Sequence, residues 1–368
     1  MAETSHHVQL QRIREQDEAK RLLEAALRER PVHAYLFHGP AGIGKRRAAL
    51  AFAGDLLGDP QRVERRAHPD LYVLEPLGDQ IRIDDIRLLH HDLHMRPFEA
   101  DRRVYLILGA DVMNDDAADA LLKDLEEPPS YAVLILVADD LGPLPETIRS
   151  RCQLVPFTRL SERAVREEIA ERAPDLPAEE LRALARVAGG RLDRAERLLD
   201  ERAAARRSAV LEVARSIYAD QPIDPLAATA RVLAGVEECA EEASAVEEAA
   251  VEPLDLPTRE AEQRVRRAVR GAERDELLLT LEELSAWYRD LVVVAAGADE
   301  AAVHYDRLDE LRVDATPERA AAAEEAAEIV RETWRSFEEF NVQPGLALEA
   351  LFVRLRRVLA APRSWAAA

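Results

Sequence analysis

A glycine-rich loop between a strand pattern and a helix pattern constrains the fold of this chain more than any other feature. It follows the apolar run Ala34–His38 and has the composition of a loop that cradles phosphate groups. Its members are Gly39, Pro40, Ala41, Gly42, Ile43, Gly44 and Lys45. Glycines let backbone N–H groups curl around an anion, and the following helix N-terminus adds a favourable dipole. The loop therefore predicts a nucleotide-binding ancestry, with Lys45 reaching the outer phosphates.

Two groups that nucleotide hydrolysis requires are missing near this loop. The next position, where Ser or Thr would bind Mg²⁺, is Arg46, and an arginine cannot ligate a cation. The strand predicted before Leu108-Gly109 ends without the carboxylates that hold Mg²⁺ and polarise water. Asp111 would substitute only if the register of that strand were shifted. We predict a vestigial phosphate site that includes Arg46 and lacks a metal.

Apolar runs alternate with helical patterns through the first half of the chain. The runs Ala34–His38, Leu71–Leu74, Val104–Leu108 and Ala132–Ala138 show no polar alternation, as expected of parallel strands that are buried on both faces. Between them, apolar residues recur at helical spacing, as from Ala49 to Leu57. This alternation predicts an α/β domain with a doubly wound parallel sheet.

Helical patterns alone continue after the first half. We predict a nucleotide-binding-like domain over residues 1–158, a small helical lid over 159–200 and an all-α domain over 201–368. Apolar stripes at Leu277–Leu291 and Leu348–Leu359 mark the buried faces of the last domain. The acidic run Glu237–Glu252 is interpreted as a solvated helix face or a connection rather than a functional tail.

Composition and charge exclude several classes of function. The 368 residues carry a net charge of −21, which disfavours an autonomous DNA binder because phosphate neutralisation needs clustered Lys and Arg. Cys152 and Cys239 are the only cysteines, so a reducing compartment without a disulfide framework is expected. Met1–His7 contains no apolar run, and no stretch of membrane-spanning length is continuously apolar. We expect a cytoplasmic protein with no membrane partner.

Several segments resemble the AAA+ clamp-loader subunits of bacterial DNA polymerase III. They are His33–Pro40, His68–Leu71, Ile83–Arg87, Ala120–Pro129, Ile148–Cys152, Trp287–Leu291 and residues 341–357. The resemblance covers almost the whole chain, is dense from His33 to Phe157 and is thin between Glu201 and Ala272. The chain resembles delta-prime subunits more than it resembles the ATP-hydrolysing tau/gamma subunits. The nucleotide sites of delta-prime subunits are commonly degenerate.

This resemblance implies an AAA+ domain, a lid and a helical collar. It further implies a non-hydrolysing stator in a ring with tau/gamma and delta subunits, which places a sliding clamp on primed DNA as part of the polymerase holoenzyme. In that role Arg151 would be catalytic in trans, as an arginine finger for a neighbour. The alternative for Arg151 is a surface side chain paired with a carboxylate. The alternative for the whole chain is an active ATPase motor subunit of the tau/gamma type.

The resemblance also bears on cofactors and on the lid. No cofactor is required, and binding of ATP or ADP stays open. No structural zinc is expected, because residues 57–67 lack the four cysteines that many relatives carry. The nucleotide-sensing arginine of the lid aligns near Asp193, with Arg191 and Arg194 beside it, which makes sensing from the lid doubtful.

Three sets of residues invite a chemical interpretation that the pattern does not favour. His90, His91 and His94 share a predicted helix, but no cysteine or carboxylate cluster is evident nearby in the sequence, so no metal is predicted. Cys152 is expected to be a packed small side chain rather than a nucleophile. The aromatic pair Trp287-Tyr288, with leucine neighbours, is expected to be collar core.

Overall fold

The computed structural model describes residues 8–11, 13–78, 80–252, 257–339 and 342–359. Two parts of the sequence used above lie outside these ranges. They are Met1–His7, on which the expectation of no secretory signal rests, and Asn341. The contacts group the chain into two compact units. The sheet unit comprises the residues up to Glu168 together with Gly190–Asp193, and the helical unit comprises Ile169–Gly189 and the residues from Arg194 onward. The domain boundaries proposed from the sequence remain predictions.

A five-stranded parallel sheet forms the centre of the sheet unit. Its strands are β1 (Ala34–His38), β2 (Leu71–Leu74), β3 (Arg103–Leu108), β4 (Ala132–Ala138) and β5 (Gln153–Pro156), in the spatial order β2-β3-β4-β1-β5. Every pairing is parallel. Apolar residues that alternate along each strand enter two different core clusters, one on each face of the sheet. The predicted doubly wound α/β fold is confirmed.

Strand β5 was missed by the sequence analysis. It begins with a polar residue, ends at Pro156 and pairs only with β1, so it lies at the edge of the sheet. A proline is tolerated at such an edge because one side of the strand needs no donor. Its apolar run, Leu154-Val155 between Gln153 and Pro156, is too short to predict a strand from the sequence.

Helices cover both faces of this sheet. They are α1 (Val8–Gln11), α2 (Asp17–Arg28), α3 (Lys45–Leu57), α4 (Pro60–Glu64), α5 (Ile83–Leu93), α6 (Asp115–Glu126) and α7 (Glu146–Arg149). Three more, α8 (Glu162–Arg172), α9 (Ala178–Ala188) and α10 (Leu192–Leu199), form the predicted lid segment. Helices α8 and α10 contribute residues to both units, and α9 lies in the helical unit. In the described part of the chain, no helix is long and apolar enough to cross a membrane.

A buried aspartate explains the His68-Pro69-Asp70 segment. The Asp70 carboxylate is fully buried and accepts the backbone N–H groups of residues 98–100 at 2.6 to 2.9 Å. Burial disfavours the charged form of Asp70, but these hydrogen bonds outweigh it and lower the pKa of the carboxyl. The segment before β2 therefore fixes the loop that leads into β3, and its role is structural.

Helices alone build the helical unit beyond the lid segment. They are α11 (Glu201–Ser216), α12 (Pro225–Val251), α13 (Thr258–Ala295), α14 (Leu308–Asp314), α15 (Pro317–Glu339) and α16 (Pro344–Leu359). Trp287 and Tyr288 on α13 are fully buried in its core, which confirms their interpretation as core residues. The predicted all-α region is confirmed.

The acidic run is a helix face within α12. Glu242 pairs with Arg202 at 2.9 Å, and Glu247 pairs with Arg264 at 3.0 Å. Such exposed pairs contribute little stability individually, typically about 0–1 kcal/mol. The run is therefore solvated and paired along the helix, as the sequence indicated.

A buried histidine joins two carboxylates in the helical unit. His304 is fully buried, with Nδ1 2.8 Å from an Asp290 oxygen and Nε2 2.9 Å from a Glu283 oxygen. Burial disfavours the charged imidazole, but the two carboxylates outweigh it and raise the pKa of His304. Arg194 and Arg207 also pair with Glu283. The charges of the two carboxylates are therefore compensated by the histidine and the two arginines within the helical unit.

Replacing His304 by alanine should lower the free energy of unfolding by about 1–3 kcal/mol, because it removes one hydrogen-bond partner from each of two buried carboxylates, Asp290 and Glu283. A histidine whose folded-state pKa is raised contributes stability that is fully present below its unfolded pKa, near about 6.5, and that is lost as the pH rises through the folded-state value. The difference in the free energy of unfolding between wild type and His304→Ala should therefore become smaller at alkaline pH. Urea unfolding measures both effects, with the exposed His91→Ala as control. A loss under about 1 kcal/mol near pH 6 would contradict this role.

Candidate phosphate loop and arginine site

The phosphate loop lies at the carboxyl end of β1, between β4 and β5. Ligands of doubly wound sheets bind in the crevice at this end of the strands. Gly39 has a φ of 138°, and a side chain there would collide with the Phe157 carbonyl oxygen, 2.1 Å from the position of a Cβ. Gly42 and Gly44 have φ values of 72° and 93°. The glycines are therefore required by the backbone conformation of this loop, and its role in binding phosphate stays a prediction.

Lys45 is held by groups of its own chain. Its side chain is 3% exposed, and Nζ lies 2.6 Å from the carbonyl oxygens of Gly39 and Pro40 and 2.6 Å from an Asp139 oxygen. Asp139 follows β4, whose last residue pairs with His38 at the end of β1. Sequence reasoning missed Asp139. The available signal was a carboxylate directly after a buried strand, which parallel pairing places beside the loop.

The positions that would hold Mg²⁺ carry no ligand. Arg46 pairs with Glu75 at 2.5 Å, and Leu108 pairs in register with Val137 without a shift in the strand. Asp111 lies beyond Gly109 in a short 3₁₀ turn, where one oxygen accepts the N–H groups of residues 139 and 140 at 2.9 and 3.0 Å. Burial raises the pKa of Asp111. This carboxylate therefore supports the loop after β4.

A second carboxylate lies against the phosphate loop. The Gly42 carbonyl accepts the N–H of Leu192, at 2.6 Å, at the start of α10. The next residue, Asp193, places an oxygen 1.8 Å from where a Gly42 Cβ would be, and it pairs with Arg191 at 2.8 Å. Asp193 is the position near which the nucleotide-sensing arginine was expected. Asp193 therefore holds Arg191 in an ion pair beside the loop, so that this guanidinium is not available to a phosphate.

Arg151 lies between α7 and β5 with its side chain 35% exposed. One guanidinium nitrogen is 2.5 Å from a Glu126 oxygen, and another donates to the Thr147 carbonyl at 3.0 Å. Glu126 is the last residue of α6 and is half exposed. The pair with Glu126 agrees with the alternative that Arg151 is a surface side chain paired with a carboxylate. The guanidinium is also partly accessible to solvent, as the arginine-finger hypothesis requires.

Cys152, the neighbour of Arg151, is not a nucleophile. Burial raises the pKa of its thiol to about 12, so the group stays protonated at neutral pH. The side chain packs against the apolar cluster that includes Ile148. The sequence interpretation of a packed small residue is confirmed.

The histidines of α5 have a carboxylate partner that the sequence analysis did not find. Nδ1 of His90 lies 2.6 Å from an oxygen of Asp124, and His94 is close to both. The sequence analysis, which considered only residues close along the chain, did not find this carboxylate, and the expectation of no metal stays a prediction. Asp124 is on α6, distant in sequence, and only the contact between α5 and α6 brings it to the histidines.

The parallel sheet, the phosphate loop at its β1–α3 turn and the all-α region define an AAA+ nucleotide-hydrolase-type domain followed by a helical collar. Residues 15–161 match the family model described as DNA polymerase III, delta subunit. That segment is similar to this family, and the resemblance of the chain to delta-prime subunits is confirmed.

Curated relatives agree with this assignment. DNA polymerase III subunit delta' of Pseudomonas aeruginosa is 36% identical over 53% of this chain, and subunit delta' of Bacillus subtilis is 34% identical over 41%. The matches span 64% and 50% of the length of those relatives. Among solved structures, a DNA polymerase III gamma subunit-related protein from Thermotoga maritima aligns over 93% of this chain with 17% identity and a TM-score of 0.48.

Asp193→Ala should increase the affinity of the full chain for ADP at least about tenfold, which corresponds to about 1.4 kcal/mol. The reason is that Arg191, without its ion pair to Asp193, becomes available to a phosphate in the loop. Binding of a fluorescent ADP analogue, followed by anisotropy, measures the change. Glu64→Ala removes the same charge at α4, which packs beside Gly54 far from the loop, and is the control. Equal affinities of the wild type and Asp193→Ala would show that the ion pair does not keep Arg191 from a phosphate.

Proposed function

We propose that this protein is the non-hydrolysing stator subunit of a bacterial DNA polymerase III clamp loader. The observation that carries the proposal is the state of the phosphate loop in a domain that is similar to that family. Lys45 is neutralised by Asp139, and Arg46 and Leu108 occupy positions that would need Mg²⁺ ligands. Such a domain keeps the shape of a nucleotide hydrolase without its chemistry.

The proposed partners are the tau/gamma and delta subunits, with the sliding clamp and primed DNA contacted through the complex. Relatives named as subunit delta' and as subunit tau both match this chain, the latter at 31% identity in Bacillus subtilis. A net charge of −21 supports contact with DNA through partners rather than alone. In the proposed assembly, the helical unit joins the ring and no membrane partner is involved.

Arg151 is the residue that we propose acts on a neighbouring subunit. Its pair with Glu126 is exposed on both sides, and exposed pairs contribute only about 0–1 kcal/mol. A γ-phosphate of a neighbouring subunit would therefore compete readily for the guanidinium. A finger supplied in trans stabilises charge on the transferring phosphoryl group, so the chain would be catalytic only within the complex.

Nucleotide is not required for this role. Asp139 pairs with Lys45 and Asp193 pairs with Arg191 beside the loop, so any bound ATP or ADP would be vestigial. The sequence offers no four-cysteine zinc site after α3. The rival function, an ATPase motor of the tau/gamma type, would need ligands that Arg46 and Leu108 do not provide.

The isolated protein should not hydrolyse ATP. Phosphate release with Mg²⁺ should stay far below about one turnover per second, a low rate for an enzyme. Arg46→Thr restores the usual hydroxyl but should not produce turnover, because Leu108-Gly109 still supplies no carboxylate. A tau subunit assayed in parallel is the positive control. Turnover by the wild type at an enzymatic rate would favour the motor function.

Arg151→Ala should reduce the clamp- and DNA-stimulated ATPase activity of a reconstituted loader at the site that this residue serves. Arginine fingers contribute on the order of a thousandfold or more to the rate at their own site. Total activity should fall only partly because other sites keep their fingers. Arg151→Lys should not rescue fully, because an ammonium lacks the planar fork of a guanidinium.

Arg163→Ala is the matched control, since Arg163 is also an exposed arginine paired with a glutamate. Both variants should unfold within about 0.5 kcal/mol of the wild type, as expected of surface substitutions. Assembly with tau/gamma and delta is checked by size-exclusion chromatography. Wild-type ATPase and loading rates in a fully assembled Arg151→Ala complex would show that Arg151 is structural.

A further inference from the structure

The last turns of α5 and α6 bring two histidines and an aspartate together. His90 and His94 are separated by one helical turn, and their rings stack edge to face at 4.7 Å. Asp124 approaches them from α6. One ligand atom from each of the three residues lies within 4.8 Å of the others. The nitrogen and oxygen donors are those that a divalent transition metal ion prefers.

Asp124 contains an oxygen that the fold leaves unsatisfied. Its side chain is 3% exposed, and Oδ1 lies 2.6 Å from Nδ1 of His90. Oδ2 is buried and has no hydrogen-bond partner. A buried polar atom without a partner destabilises the folded state, and a bound cation would supply the missing partner.

The surroundings favour a cation and leave it accessible. Helix α5 ends at Leu93 and α6 ends at Glu126, so the three side chains lie at or beside the carboxyl ends of both helices. The helix dipoles concentrate partial negative charge there. His90 and His94 are exposed, so an ion from solvent reaches them without rearrangement of the core.

We propose that His90, His94 and Asp124 form a zinc site, with water as the fourth ligand. Three protein ligands and an open position are a common tetrahedral arrangement for Zn²⁺. The ion would cross-link the ends of α5 and α6, next to Glu126, the partner of Arg151. This site lies apart from the phosphate loop and does not depend on the proposed stator role.

The test is calorimetric titration of the full chain with zinc chloride at neutral pH. The sequence also carries His6 and His7, so a variant with alanine at both positions serves as the background. In that background we expect saturable binding of a single Zn²⁺ per chain and an increase in the unfolding temperature with zinc concentration. Co²⁺ used as a spectroscopic probe should give the visible absorption of a four-coordinate ion.

His94→Ala is the deciding variant because this exposed position is not needed for packing. It should weaken zinc affinity by more than about a hundredfold, beyond the loss from changing a residue that only supports a ligand. Asp124→Asn should weaken it similarly, with folding checked by circular dichroism. His91→Ala, on the same helix, should bind as the background does. Absence of saturable binding in the background, or equal binding by His94→Ala and His91→Ala, would overturn the proposal.

Discussion

Parallel pairing of β1 with β4 on one side and β5 on the other is the constraint on which the sheet unit depends. It places the phosphate loop at the carboxyl edge of the sheet, between β4 and β5, and it brings Asp139 from the end of β4 to the loop lysine. The segment that carries Arg151 leads directly into β5. One set of backbone hydrogen bonds thus determines where the phosphate loop, its carboxylate and the exposed guanidinium lie.

Charges of the protein have taken the place of a ligand at this edge. In an active nucleotide site, the lysine and the loop N–H groups meet phosphate oxygens. Here Lys45 meets two carbonyl oxygens and a carboxylate, while Arg46 pairs with Glu75. A buried ammonium needs such partners, because isolated burial of a charge costs several kcal/mol, on the order of a whole protein's stability. In the proposed stator, the absence of Mg²⁺ ligands and these internal partners of the loop lysine would be complementary.

Local patterns predicted most of the fold and the loop, and distant contacts account for the rest. The apolar runs of β1, β3 and β4 identified their strands because burial on both faces leaves an uninterrupted apolar signal. Strand β2, although partly exposed at the other edge, also has an uninterrupted apolar run. The edge strand β5 carries no such signal. Asp139 and Asp124 were missed as site residues, because each meets its partner across the fold rather than along the chain. A single sequence without its contacts does not identify such pairs.

The internal partners of Lys45 have a consequence for how the domain responds to ATP. A ligand shifts a conformational equilibrium only by the difference between its affinities for the two states. A loop whose lysine is already bound by Gly39, Pro40 and Asp139 offers ATP little to bind in any state. For the proposed stator, the conformation of the loop would then not depend on cellular energy charge, and a neighbouring surface would meet the same shape at every ratio of ATP to ADP.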